Sequence, residues 1–191
     1  MKKEDIITLP NPRLRQKSAK IREITDKVTE LIGDMTHAAL DWEDSRPHEI
    51  SAALAAIQID QLARIVIIRS DFDDKESREF TPLINPEIVK YEGSITGDYE
   101  GCLSVSNIYG KVPRHTKIRV KALDIEGNEV RFKAEGFLAR VIQHEIDHTN
   151  GIVFIDHIKD ETNAFYTLDE KGELQPLDYD KHIKNSDILW Q

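Results

Sequence analysis

Residues 137–150 constrain this chain more than any other stretch. Phe137, Leu138, Val141, Ile142 and Ile146 recur at helical spacing, and Asn150-Gly151 supplies a C-terminal stop. The same segment carries His144-Glu145-Ile146-Asp147-His148. On a helix, residues four apart lie one above the other, so both imidazoles face the same way and can reach one metal ion. Glu145, beside the first of them, is placed to take a proton from water at that ion. A catalytic site of this kind needs a third protein ligand and one open position. The fold must therefore bring a further donor to this helix face and leave the face reachable.

A histidine six residues after His148 would complete one protease pattern, but position 154 is Phe. Two candidates remain. Glu161 offers a carboxylate further along the chain. Cys102, the single cysteine, stands in Glu100-Gly101-Cys102-Leu103-Ser104. Its thiolate would be a strong ligand for a soft metal, and Gly101 lets the backbone approach closely. A lone cysteine is more often a small buried hydrophobe, so the residues alone leave the choice open. One cysteine also excludes an intrachain disulfide.

The remaining segments set the architecture. Ile24, Val28, Leu31, Ile32, Met35 and Ala39 predict an amphipathic helix over residues 26–41, started by Thr25 or Asp26. The charged stretch 42–49 reads as a loop, and residues 10–15 read as a turn entering an extended stretch. The small apolar run 50–59 suits a helix or a closely packed strand. Residues 65–68 read as a buried strand, and 81–92 and 117–134 as further strands, the last folded into a hairpin at Glu126-Gly127-Asn128. Residues 152–155 form a short strand candidate. The acidic cluster at 71–76 is a solvated loop, lacking the glycine and terminal Glu of a calcium loop. His37, on the first helix, and His48, His115, His157 and His182, in loops or near turns, are expected to be ordinary residues. Strands around one central helix give the α+β class, with antiparallel β-sheets packed around a central metal-binding helix. Residues 1–158 are expected to form the catalytic unit. Residues 159–191, mostly polar but ending in Ile188-Leu189-Trp190, are expected to form an extension packed back on it. A length of 191 residues with 39% hydrophobic content suffices for one core. The net charge of −9 argues against general DNA or RNA binding. No apolar run has the length of a membrane span, and no apolar region follows Lys2-Lys3, so a cytoplasmic protein is expected.

The order of three motifs carries a family resemblance. Leu54-Ala55-Ala56-Ile57-Gln58, then Glu100-Gly101-Cys102-Leu103-Ser104, then Gln143-His144-Glu145-Ile146-Asp147-His148 together resemble the peptide deformylase family. Pro12-Arg13-Leu14-Arg15 and Val112-Pro113-Arg114 resemble its flanking segments, and the resemblance runs from Pro10 to Ile158. It implies a hydrolase that removes the formyl group from N-formylmethionyl nascent peptides and releases formate, in a bacterial-type cytoplasm and with a possible ribosome contact. It implies that Cys102, His144 and His148 hold one divalent ion, Fe2+ by preference, with Zn2+, Ni2+ or Co2+ as substitutes. Glu145 would be general base and later proton donor. Gln58 and the Leu103 backbone N–H would stabilise the oxyanion. Ala53, Leu54, Gly101, Tyr109, Phe137, Arg140 and Val141 would form the substrate site, and Glu100 and Asp147 are candidates to orient the histidines.

Four positions depart from the family pattern. Ser51 and Ala53 stand where glycines are usual, Ser106 where proline is common, and Arg140 where an apolar residue lies near the methionine pocket. Arg140 is expected to snorkel outward with its stem on the pocket wall, or to alter side-chain preference. Two other readings stand beside this one. One is a peptidase with Glu161 as third ligand. The other is a deformylase-like metal-binding protein whose 51–53 segment closes the cleft.

Overall fold

The computed structural model describes residues 1–46, 49–72, 74 and 76–190. The expectations for His48 and for the centre of the acidic loop, Asp73 and Lys75, fall outside the described residues. Helix α1 (Asp26–Asp44) buries Val28, Met35, Ala38 and Ala39 along one stripe, the face that the apolar spacing predicts. It runs beyond residue 41, through Trp42, Glu43 and Asp44, into the stretch expected to be loop. Trp42 packs against the core, and Glu43 and Asp44 meet Arg69 and Arg78. Charges with partners do not end a helix.

The small-residue run resolves into strand β1 (Ala53–Ala55) and a 3-10 turn, Ala56–Ile59. Strand β2 (Ile65–Arg69) pairs with β1 on one side and with β3 (Phe80–Cys102) on the other. A two-residue turn, Leu103-Ser104, returns β3 into β4 (Val105–Leu123), and β5 (Glu129–Glu135) continues from the turn at Glu126-Gly127-Asn128. Helix α2 (Gly136–Thr149) follows. The chain ends in β6 (Phe165–Leu168), β7 (Leu174–Pro176) and a single helical turn, α3 (Tyr179–His182). All strand pairings are antiparallel, in the order β1-β2-β3-β4-β6-β7 with β5 also on β4. This is the expected α+β class.

Side-chain alternation explains how the sheet serves two helices. On β2, Val66 and Ile68 join Ile57, Ile118, Val120, Ile142 and Ile146 in a core against α2. Ile65 and Ile67 point the other way and join Met35, Leu54 and Ile84 in a core against α1. A strand buried on both faces reads as a continuous apolar run, as Ile65-Val66-Ile67-Ile68 does. A third core gathers Leu14, Val112, Phe154, Ile155 and Phe165 with Ile183 and Leu189, so the C-terminal segment packs on the sheet.

The turn expected within residues 10–15 is present: Pro12–Arg15 is a 3-10 turn, in which Asn11 accepts a hydrogen bond from the Arg13 N–H (3.0 Å) and Pro12 occupies the first helical position. Two local expectations are corrected. Residues 152–155 are not a strand. Phe154–Ile158 is a 3-10 turn, tied by the Val153 N–H to the Asp156 carboxylate (2.8 Å). A short apolar run suits either form, and here the capping acid decides. His115 lies within β4 and not in a loop, while His182 ends the single turn α3, next to the turn that follows.

Candidate metal centre and cleft

Helix α2 is buried on nearly every side, including Arg140, Gln143, His144, Glu145 and His148. Buried polar groups cost stability unless partnered, and Arg140, Gln143 and His144 find partners on the β3–β4 hairpin. Gln143 donates to the His115 carbonyl (2.9 Å) and accepts from its N–H (3.2 Å), which fixes the helix against β4. At the C-terminal end Gly151 adopts φ +77°, and a Cβ there would lie 2.4 Å from the Arg15 carbonyl oxygen. The stop read from the sequence is thus also a packing contact.

The hairpin delivers Cys102 to the histidine face. Cys102 closes β3, opposite Val105 across the tight turn. Ligand atoms of Cys102, His144 and His148 all lie within 4.8 Å of one another, with the sulfur 3.2 Å from His148 Nε2. Glu161 is exposed and stands outside this group. The Ser104 N–H (3.4 Å) and Gln58 Nε2 (3.6 Å) both point at the sulfur, an arrangement suited to a thiolate.

Glu100 sets the orientation of one imidazole. Burial opposes its charge, but hydrogen bonds and charge from His144 and Arg114 outweigh that and hold its carboxyl well below the usual range. As a carboxylate it accepts from His144 Nδ1 (2.9 Å), which leaves Nε2 with the lone pair a metal needs. Asp147 does not touch a ligand histidine. It accepts from His157 (2.7 Å) and from Arg114. Burial also works against charge on His144, yet Cys102 and Glu100 raise its pKa well above the ordinary value. Burial and the neighbouring His144 push His148 well below it. A thiol and two imidazoles whose donor atoms converge, with a carboxylate behind one imidazole, form a donor set that fits a divalent cation.

Glu145 points into the same space. One of its carboxylate oxygens is buried without a partner among the described residues, and burial pushes its pKa up to about 7. It can hold or release a proton near neutrality. Gln58 is 1% exposed, its carbonyl oxygen taken by the Ala55 N–H (2.8 Å) and its amide nitrogen aimed at Ser104 Oγ (3.2 Å) and the cysteine.

A cleft of about 270 Å³ opens onto this group. Ala53, Gly101, Leu103, Tyr109, Phe137, Arg140 and Val141 line it, as do Gln58, His144 and Glu145. Gly101 is required by contact: a Cβ there would lie 2.6 Å from the Tyr109 ring. Tyr109 in turn donates to Glu49 at the rim. Leu54 is not part of the lining. Its side chain, fully buried, faces α1 because strand neighbours point to opposite sides. The 51–53 segment does not close the cleft, since Ala52 and Ala53 form part of its wall. Arg140 does not snorkel outward; its guanidinium is buried beneath the cleft on Glu100 (2.7 Å). Sequence reasoning missed Ser104, Arg114 and, at the rim, Ile50, whereas Trp42, Arg46 and Glu49 line the cleft from the 42–49 stretch, whose length suggests a rim. The spacing of Glu100 and Arg114 in one hairpin carried no signal of their pairing.

A family model described as polypeptide deformylase matches residues 3–164. A peptide deformylase of Thermomicrobium roseum is 45% identical over 172 residues, covering 88% of this chain and 93% of that one. Among solved structures, a peptide deformylase of Synechococcus elongatus in complex with actinonin is 31% identical with a TM-score of 0.73, covering 82% of this chain and 80% of that one. A class I type b peptide deformylase of Acinetobacter baumannii bound to Met-Ala-Ser is 27% identical with a TM-score of 0.71, covering 80% and 96%.

Proposed function

The chain belongs to the polypeptide deformylase family and removes the N-terminal formyl group from nascent peptides, and on that premise we propose how its residues divide the work. Cys102, His144 and His148 hold one divalent metal ion, Fe2+ in the native enzyme, with Zn2+, Ni2+ or Co2+ as substitutes. When bound, that ion polarises the formyl carbonyl and lowers the pKa of water. The observation that supports this reading is the convergence of three ligand atoms within 4.8 Å beside an unpartnered, buried Glu145 carboxylate oxygen.

Glu145 takes the proton of the attacking water and later gives a proton to the departing amine. Its raised pKa suits a group that must do both. The Gln58 amide and the Leu103 N–H donate to the oxygen on which charge develops, with Gln58 held in place from behind by the Ala55 N–H. A methionyl peptide, of the kind the Acinetobacter relative holds, lies extended along β1. That strand is at the end of the sheet order, and Ala53 on it lines the cleft. Phe137 and Val141 supply apolar wall for the methionine side chain, while Tyr109 and Gly101 shape the opposite side. Substrates are met as they leave the ribosome in a bacterial-type cytoplasm, which makes a ribosome contact part of the proposal. No described helix is long and apolar enough to cross a membrane.

Glu145→Gln tests the division of labour. Formate release from a formyl-Met tripeptide should fall by roughly 100-fold or more, with metal content at the parent level. Loss of metal together with activity would make Glu145 a structural residue, and retained turnover would remove it from the chemistry.

A further inference from the structure

Arg140 stands on α2 one turn before His144, and its side chain leaves the cleft for the hairpin. It is 6% exposed. Nη1 donates to the Glu100 carboxylate (2.7 Å) and the Val112 carbonyl (2.7 Å), and lies 3.4 Å from the Asp98 carbonyl. Nη2 donates to the Thr96 carbonyl (2.8 Å). Thr96, Asp98 and Glu100 alternate along β3 and lead to Cys102, and Val112 pairs with Asp98 across the hairpin. One guanidinium therefore crosses from the helix that carries both histidines to the strand that carries the cysteine.

The arrangement restrains geometry as well as charge. A buried guanidinium is tolerated only where its donors are met. Here the acceptors are spread along one strand and its neighbour, so a shift of the hairpin away from α2 would leave several donors unpaired at once. Arg114 makes a companion brace beside His148, reaching from β4 to Glu100 and to Asp147. Neither arginine presents free charge to the cleft. Arg140 thus lines the apolar site without offering it a cationic partner.

We infer that Arg140 is a positioning residue: it fixes the Cys102 end of the β3–β4 hairpin against α2 and so sets how tightly the centre retains its metal, rather than selecting the substrate side chain. The inference rests on the assignment of Cys102, His144 and His148 as ligands. It is tested by loading the full chain with Co2+ and following release to excess chelator through the cobalt–thiolate absorption. Arg140→Met, which keeps the stem and removes the fork, should release cobalt roughly 10–100-fold faster than the parent. Arg140→Lys, with one donor group left, should fall between them. KM for a formyl-Met tripeptide at full loading separates this role from selection of the substrate side chain, which would raise KM without changing release.

Arg69→Met provides the matched control, since Arg69 is likewise buried but ties β2 to α1 through Glu43 and to the Ser51 carbonyl ahead of β1. It should release cobalt at the parent rate. Release from Arg140→Met at the parent rate, equal acceleration in Arg69→Met, or a raised KM with unchanged release would each overturn the inference. Should Arg140→Met fail to fold, the lysine variant carries the comparison, and parent-like release from it is the contrary result. A parent that binds cobalt without thiolate absorption would instead overturn the ligand assignment beneath it.

Discussion

Ala53 and Leu54 are adjacent in the chain and do unrelated things. Ala53 lines the cleft, while Leu54 is fully buried against α1. Leu54→Ala should therefore cost about 2–5 kcal/mol of stability in urea unfolding and leave KM for a formyl-Met tripeptide unchanged. A raised KM with stability intact would return Leu54 to the substrate site. At this scale, the residues legible in the sequence are those whose chemistry needs a fixed local spacing. His144 and His148 announce themselves through the helical period, whereas Cys102 stands out over Glu161 only through the family resemblance of its motif. Leu54 was misplaced because a motif records which residues are near a site but not which face of the strand each one takes. Arg140 was misplaced for a related reason. A charge beside an apolar pocket suggests escape to solvent, and nothing local shows four acceptors waiting on the β3–β4 hairpin, three on β3 and one on β4.

Among elements, α2 is the one whose burial needs explaining, since a helix carrying Arg140, Gln143, His144, Glu145 and His148 is not apolar enough to bury on hydrophobicity alone. Arg140, Gln143 and His144 each find a partner on the β3–β4 hairpin. Gln143 bonds both backbone groups of His115, so Gln143→Leu, similar in volume but without donors or acceptors, should cost about 1–3 kcal/mol. Chemical denaturation would show this; an unchanged midpoint would mean that water satisfies His115 in its place. Helices α1 and α2, strand β2 and the β4–β5 hairpin were legible because period and turn chemistry agree there. The full length of β3 was not, because Gly93, Gly97 and Asp98 lower its intrinsic strand preference. Pairing with β4 overrides that preference, and register shifts between Glu92 and Ile95 absorb the irregularity.

For the molecule as a whole, the α+β arrangement places a two-residue turn, Leu103-Ser104, above a buried helix so that the sulfur of Cys102 and the imidazoles of His144 and His148, distant in sequence, meet. The segment after Ile158 shares in this frame, because β6 pairs with β4 at Tyr109 and Gly110, and Phe165, Ile183 and Leu189 are buried beside Phe154. Removing residues 159–191 should lower the thermal midpoint and reduce metal retention, since Phe154 also stacks on His144. A shortened chain with the parent's midpoint would show that the segment is dispensable to the fold. The central claim is that one sulfur and two imidazoles hold the metal. Zinc-edge X-ray absorption on the zinc-loaded chain addresses it directly. The account predicts one sulfur at about 2.3 Å and two histidine nitrogens at about 2.0–2.1 Å, with the sulfur lost in Cys102→Ser. A shell made only of nitrogen and oxygen in the parent would contradict it.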